Sequence, residues 1–475
     1  MKRNKVFSPD LMQSGVIRWL VRQHPLQFLF ILPVLAVIVL ASISMIVGVR
    51  DPGFNFGLVI TWVVWWGLLI ALFPVVGRGW CFMCPFGAAV DWIQRRSLWW
   101  KSNWGLGFNF KYPRRLQNMW LGIAFFVGFI FLDAGYGISN SPTLTAGLVV
   151  VLVLWALWMG LLYEKRTFCR YQCPLTVFIG MSSMFAPYEI RRKDAEVCRQ
   201  CQTKDCFRGN EHYYGCPTFQ FQGGEMDSNR DCVLCTECIK ACPYENVTAR
   251  VRWWGYDLWA RNKGRLDESV AAVILVALVT MVSLSLVLFL PKLYLILRPA
   301  LPAGTPPNDW PRLVSIGIVY LGGIAVALLL MYGFSYLSRL FSGAKDTSTR
   351  TFFTNFGYAV VPLGLMKFLS DILDHIFRTW GAFGDALKAL VKDFPQNRIM
   401  LDQVTVKQLM SAQQTYLLQV VMVGIGFGFG LYVARKLAGR LLPNDSAAAF
   451  RAFLPIGAFI FILAMAAVWA LSATL

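Results

Sequence analysis

The segment "DCVLCTECIKACPYENV", Asp231 to Val247, separates four cysteines by two, two and three residues and ends them on a proline. Three thiolates at that spacing can hold three corners of one iron–sulfur cubane, while the fourth, where proline turns the chain away, reaches a second cluster. A partner run lies upstream: Cys198, Cys201 and Cys206, spaced C-x2-C-x4-C, then Cys216-Pro217 after nine intervening residues. By this cross-over, Cys198, Cys201, Cys206 and Cys242 are expected to hold one [4Fe-4S] cluster, and Cys216, Cys232, Cys235 and Cys238 another. The first run is stretched, which leaves a [3Fe-4S] cluster or a degraded site open there. A zinc tetrathiolate suits paired C-x2-C elements, but the triple run and its closing Cys-Pro favour clusters.

Four more cysteines sit in a weak internal repeat, "GRGWCFMCPFGAAV" and "KRTFCRYQCPLTVF". Each copy follows two apolar runs with basic residues, an aromatic, a cysteine and a Cys-Pro. A duplicated hairpin would bring Cys81, Cys84, Cys169 and Cys173 to one membrane face. Three roles stay open for this set: a third iron–sulfur cluster bridging the repeats, a redox-active or metal-handling thiol site, or a structural role. Soft thiolates suit iron–sulfur or Cu(I), and spacing alone does not separate them.

The elements that position these groups are membrane spans. The 475-residue chain is 56% hydrophobic and 15% charged, with a mean hydropathy of +0.52. Apolar runs long enough to cross a bilayer fall near 27–49, 54–76, 118–138, 144–163, 268–291, 313–337, 352–376, 413–434 and 448–472, about nine spans. Lys2, Arg3, Lys5, Arg18 and Arg22 precede the first, which reads as a retained signal anchor with its N-terminus in the cytoplasm. Alternation from there places the later basic loops, and the cysteine-rich segment, on the cytoplasmic side. Much of the +19 net charge is then topological, and no nucleic-acid partner is expected. Reduced thiols in that compartment also argue against disulfides.

The expected fold is a polytopic α-helical membrane protein with a cytoplasmic two-cluster bacterial-ferredoxin-like insert. Residues 1–189 form a four-span unit with the repeated Cys-Pro motifs, 190–250 the insert, 251–267 an interfacial linker, and 268–475 a C-terminal membrane domain of about five spans. Trp99, Trp100, Trp253, Trp254 and Trp259 read as interfacial anchors in contact with membrane lipid.

On these residues, Cys81, Cys84-Pro85, Cys169, Cys173-Pro174 and the eight cysteines from Cys198 to Cys242, the stretch from about 20 to 250 resembles the NapH/NosR-type family of membrane-bound ferredoxins. The resemblance implies electron transfer at a prokaryotic inner membrane, as in quinol oxidation, electron supply to periplasmic reductases, or metal reduction during oxidase assembly. Two departures stand out. The first membrane motif is C-x2-C-P rather than C-x3-C-P, and about two hundred residues of further spans follow.

Histidine is scarce: His24, His212 and His375 argue against a bis-His haem within the chain. Quinone chemistry needs a proton acceptor beside an apolar slot. In "YAVVPLGLMKFLSDILDHIFR", Lys367, Asp371, Asp374 and His375 recur, with Arg378, at three- and four-residue spacing on one helix face. They are a candidate proton or quinone site, weighed against an interfacial helix with solvated, internally paired charges. Pro362 could kink that span and open a pocket. The stretch 385–409 reads equally as a dock for a periplasmic redox protein or as a surface helix.

The leading expectation is an oxidoreductase component, quinol-dehydrogenase-like, that passes electrons between cytoplasmic [4Fe-4S] clusters and the quinone pool or a respiratory partner such as a periplasmic cytochrome or reductase, within a larger complex. The alternatives are a copper-handling reductase for cofactor assembly and a non-catalytic anchor that relays electrons.

Overall fold

The computed structural model describes residues 9–23, 25–95, 106–224, 226, 228–284, 310–392 and 409–472. His24, Trp99, Trp100 and, within 385–409, residues 393–408 lie outside the described residues.

Among the described residues, seven helices are long and apolar enough to cross a bilayer: Leu26–Val47, Phe56–Met83, Pro142–Leu162, Leu313–Ser342, Thr349–Val391, Ala412–Leu441 and Ser446–Ser472. A span needs roughly 20 apolar residues at 1.5 Å rise each, so the chain is a multi-pass membrane protein. The other two of the nine expected segments are also helical. Trp120–Tyr136 is shorter, 17 residues, because Gly137 turns left-handed at φ 64° and starts the turn into the next helix. Leu266–Leu284 covers most of 268–291, and the remainder of that segment lies outside the described residues.

The chain packs into two compact units. The first comprises Met1–Ser42, Leu72–Phe125 and Ala146–Asp257, and contains all twelve cysteines, none in a disulfide. Its cysteine-rich insert is bounded by two antiparallel strands, Tyr188–Arg192 and Val247–Val251, which pair Tyr188 with Val251 and Arg192 with Val247. The insert therefore leaves and re-enters the membrane unit at one place, with its eight cysteines between the strands. Ile190, Met226, Ile239 and Val247 pack around Cys206, Cys232 and Cys238 to form its core. An amphipathic helix, Gly15–Arg22, lays Ile17 and Val21 on that core and leaves Val16 and Trp19 exposed.

The second unit comprises Ile43–Ala71, Phe126–Thr145 and Leu258–Leu475. Its helices Val361–Lys392, Ala412–Leu441 and Ser446–Ser472 pack side by side. Gly426 permits a close crossing, since a Cβ there would lie 2.8 Å from that of Met366 and 3.0 Å from the Cα of Leu363. Pro362 lies inside the continuous helical span Thr349–Val391 and directly follows a 3-10 turn, Gly357–Val360, so the regular α-helix is interrupted just before the residue that lacks an N–H.

Candidate metal centres

The insert's C-terminal cysteines are placed by local backbone chemistry. Leu234 and Thr236, which separate Cys232, Cys235 and Cys238, both adopt the left-handed region at φ 53° and 64°. Non-glycine residues enter that region at a cost of about 1 kcal/mol or more, and here the two turns wrap the chain tightly between ligand-type residues. The short helix Glu237–Ala241 then stops at Cys242, extended at φ −75° and ψ 113° because Pro243 follows. That turn carries Cys242 away from the preceding three.

Cys216 comes back to them through a folded loop. Gly209 and Gly215, both at positive φ, cross so closely that a Cβ on Gly215 would lie 2.5 Å from the Gly209 nitrogen. The crossing returns the chain so that the Cys216 amide donates to the Cys206 carbonyl at 3.0 Å. Cys216 is then near enough to Cys232, Cys235 and Cys238 for its charge to raise all three thiols. All four are buried. Burial is the larger effect, pushing Cys232 up to about 11 and raising Cys235 and Cys238 well above the ordinary thiol value.

The other insert set is more open. Cys198, Cys201, Cys206 and Cys242 line one pocket together with Val197, Phe221 and Tyr244, and only Cys206 of the four is buried. Asn246 serves this pocket. Its side-chain amide donates to Cys198 Sγ at 3.1 Å, and its backbone N–H donates to Cys242 Sγ at 3.4 Å. Donors of this kind stabilise a thiolate ligand.

The structure also brings together Cys81, Cys84, Cys169 and Cys173. Cys81 lies in a last helical turn, Trp80–Met83, and Cys169 in a π-helical turn, Phe168–Gln172. In both copies the Cys-Pro cysteine ends the turn extended, Cys84 at ψ 122° and Cys173 at ψ 125°. Burial, then the neighbouring cysteines, pushes Cys84 up to about 11 and Cys173 up to about 12, and Cys169 is raised as well. Such thiols stay protonated unless iron or another metal takes the proton's place.

Two buried arginines tie this set together. Arg78 Nη2 donates to the Cys169 carbonyl at 2.5 Å, and Arg166 Nη1 donates to the Cys81 carbonyl at 2.8 Å. Each arginine stands three residues before the first cysteine of its own repeat and binds the first cysteine of the other. Arg166 Nε also lies 3.1 Å from both carboxylate oxygens of Asp91. Arg78 Nη1 reaches the Arg230 carbonyl at 3.0 Å and Asp231 at 3.4 Å. Although burial pushes Asp231 up, Arg230, Arg170 and Arg78 hold its carboxyl well below the usual range.

The donor chemistry fits iron–sulfur clusters. Among the described residues no three His, Cys, Asp or Glu groups converge on a single ion, whereas a cubane takes each thiolate at a different iron and spreads its ligands. The buried Nε–H of Arg78 lacks a hydrogen-bond partner, and an anionic cluster nearby would stabilise that charge.

The arginines, Asp91, Asp231 and Asn246 were not singled out from the sequence. The available signal was the repeated R-x2-C offset, Arg78 to Cys81 and Arg166 to Cys169.

In the second unit, the candidate quinone residues form two separate pairs. Lys367, nearly fully buried, bonds Asp371, and Arg378 binds Asp374 at 2.8 Å. The pairing at 367 and 371 was expected, but Lys367 is not solvated. His375 is next to Asp374 on the same helix, Val361–Lys392.

Comparison with known proteins converges on the same residues. A family described as "4Fe-4S binding domain" matches this chain twice, at residues 58–107 and 145–192, and each match contains one Cys-Pro repeat. The ferredoxin-type protein NapH of Escherichia coli is 22% identical over 201 residues, which cover 39% of this chain and 67% of NapH. The methylamine utilization ferredoxin-type protein MauN of Paracoccus denitrificans is 25% identical over 177 residues, 35% of this chain and 60% of MauN. The Escherichia coli protein YccM is 31% identical over 101 residues, 21% of this chain and 25% of its own length. No solved structure matches. The chain therefore carries a 4Fe-4S binding domain, is distantly homologous to NapH and MauN, and is a ferredoxin-type electron transport protein of the membrane.

Proposed function

We propose that this distant relative of NapH and MauN holds three [4Fe-4S] clusters and passes electrons between a redox partner at the insert and the membrane quinone pool. One cluster would be held by Cys198, Cys201, Cys206 and Cys242, a second by Cys216, Cys232, Cys235 and Cys238, and a third by Cys81, Cys84, Cys169 and Cys173. The observation that carries this reading is the gathering of the last four thiols from two hairpins, both matched as 4Fe-4S binding sequence. When bound, each cluster supplies a carrier that takes up and gives back one electron at a time.

The chain's own residues divide the work. The open pocket around Cys198 gives a soluble partner access. The buried second set keeps solvent away. The basic segments and the positive-inside rule support a cytoplasmic insert in the inner membrane. Oxidation of a quinol releases two electrons and two protons, so a quinone site needs a proton acceptor. The Lys367–Asp371 pair, a buried ionisable pair in a span, is the candidate on this chain. A larger complex would supply the electron donor or acceptor.

The test is anaerobic reconstitution of the full chain, with iron and acid-labile sulfide counted, followed by dithionite reduction and freeze-quench EPR during reoxidation by a quinone analogue. About twelve irons per chain and fast, saturable reoxidation support the reading, and about eight irons refute the third cluster. Reoxidation that rises linearly with quinone, and is unchanged in Asp371→Asn, refutes the quinone site.

A further inference from the structure

We propose that Arg78 and Arg166 are a matched pair of positioning residues that join the second insert site to the Cys81, Cys84, Cys169 and Cys173 site and bias both electrostatically. The inference rests on the three-cluster reading above and adds what connects two of the three.

The pair is symmetric in sequence and in contact. Each arginine lies three residues before a cysteine, is at most 1% exposed, and donates to the backbone carbonyl of the opposite repeat's first cysteine. Each also reaches the insert. Arg78 binds the Arg230 carbonyl, two residues before Cys232. The backbone N–H of Arg166 donates to the Pro217 carbonyl at 2.9 Å, one residue after Cys216, and the adjacent Lys165 Nζ donates to the Cys216 carbonyl at 3.0 Å. Both arginines therefore touch the chain on the two sides of the gap, and they do so beside ligand-type residues of both sites.

A buried guanidinium is costly unless opposite charge compensates it. Arg166 has Asp91, and Arg78 and Arg170 both lie on the carboxylate of Asp231. The buried guanidiniums of Arg78 and Arg166 suit anionic cluster sites on either side. A positive neighbour favours the more negative, reduced form of a cluster, so these guanidiniums raise the potential of both sites above what they would have without them.

A purely structural pin would hold the hairpins together without regard to the sign of nearby charge. The distinguishing experiment is a potentiometric EPR titration of the reconstituted full chain, with iron counted in every sample, comparing wild type with Arg78→Gln, Arg78→Lys and Asp231→Asn. Arg78→Gln is expected to lower the reduced-to-oxidised ratio of the second insert cluster and the membrane-face cluster at least tenfold, about 59 mV for one electron. Asp231→Asn is expected to shift the same two upward, and Arg78→Lys to stay within a few-fold of wild type. The cluster at Cys198 serves as the unmoved internal control. If Arg78→Gln does not assemble, the sign of the shift in the isosteric Asp231→Asn decides. Shifts of the same sign in Arg78→Gln and Asp231→Asn, no shift in Asp231→Asn, or an equal shift of the control cluster would overturn the inference. A wild-type chain with only two clusters overturns the three-cluster reading itself, whereas three clusters indifferent to these charges overturn this inference alone.

Discussion

The two cysteine sets of the insert share a strand-bounded fold and a cross-over pattern, yet they are held in different ways. The set at Cys216, Cys232, Cys235 and Cys238 is wholly buried, with Cys232 and Cys238 packed among Ile190, Ile239 and Val247 beside Cys206 of the other set, on backbone turns that leucine and threonine rarely adopt. The set at Cys198, Cys201, Cys206 and Cys242 opens to a pocket rimmed by Tyr244, and Asn246 and ordinary surface residues support it. On the proposed reading the contrast would separate two tasks. A site that must exchange electrons with a mobile partner needs an edge within reach, and a site that relays them inward needs a dry, charge-biased surrounding. Burial, more than ligand count, divides the tasks.

The largest test of this contrast replaces one ligand-type cysteine in each set. Cys238→Ser takes a ligand from the packed core, so the insert should lose most of the roughly 5–15 kcal/mol that typically holds a domain folded. Cys198→Ser should remove only the cluster of the open pocket. Limited proteolysis across 188–257, with iron counting, reads both. Equal protease sensitivity in the two variants would remove the distinction between a core site and an edge site.

A smaller effect is expected at the buried pair Asp91 and Arg166. Asp91→Ala leaves a fully buried guanidinium without its carboxylate, at a cost of about 3–5 kcal/mol. Thermal unfolding in detergent should show it as a clear loss of melting temperature that added salt does not restore. A loss below about 1 kcal/mol would mean that Arg166 is compensated by something other than Asp91, and the anionic membrane-face site would be the first place to look.

How much of this was legible in the sequence follows from the range over which each signal acts. Cys232, Cys235, Cys238 and Cys242 are near neighbours in the chain, so their spacing and the proline at 243 already describe a wrapping segment. The apolar runs of most spans are likewise local, and seven of them appear as helices of spanning length. The roles of Arg78 and Arg166 were not legible. Their partners, Cys169 and Cys81, lie 91 and 85 residues away, and in sequence each arginine reads as one more positive charge in a cytoplasmic loop. Lys367 was readable as part of an ionic pair because Asp371 is one helical turn on, but its burial depends on packing by neighbouring helices that sequence spacing does not encode. Pro362 was readable as an irregularity within a long apolar run, and a 3-10 turn, Gly357–Val360, lies directly before it in the continuous span Thr349–Val391.

At the open pocket, Asn246 should matter more for potential than for folding. Its amide donates to Cys198 Sγ and to the Asp194 carbonyl at 2.7 Å, and its oxygen accepts from the Asp194 amide at 2.9 Å. Asn246→Ala removes these bonds at a cost of about 1–3 kcal/mol, and loss of an N–H···S donor should lower the potential of that cluster. A redox titration in which the second insert cluster moves instead would break the assignment of Asn246 to the open site.

The smallest effect lies at the pocket's outer edge, where Arg22 of the N-terminal helix meets Glu245 at 2.6 Å with both side chains substantially exposed. Solvent screening limits such a pair to at most about 1 kcal/mol. The bond and charge of Arg22 hold the Glu245 carboxyl below its ordinary value, so the contribution is present above the ordinary glutamate pKa and is lost as pH falls through the lowered one. Near neutral pH, Glu245→Gln should therefore lower the melting temperature slightly, and about 1 M salt should erase the difference because exposed charges are screened within about 3 Å there. The same salt should leave the Asp91→Ala deficit intact. Two ion pairs with opposite salt responses would locate the boundary between the solvent-facing and the dry part of this unit, and matching responses would mean that water reaches Arg166 as readily as it reaches Arg22.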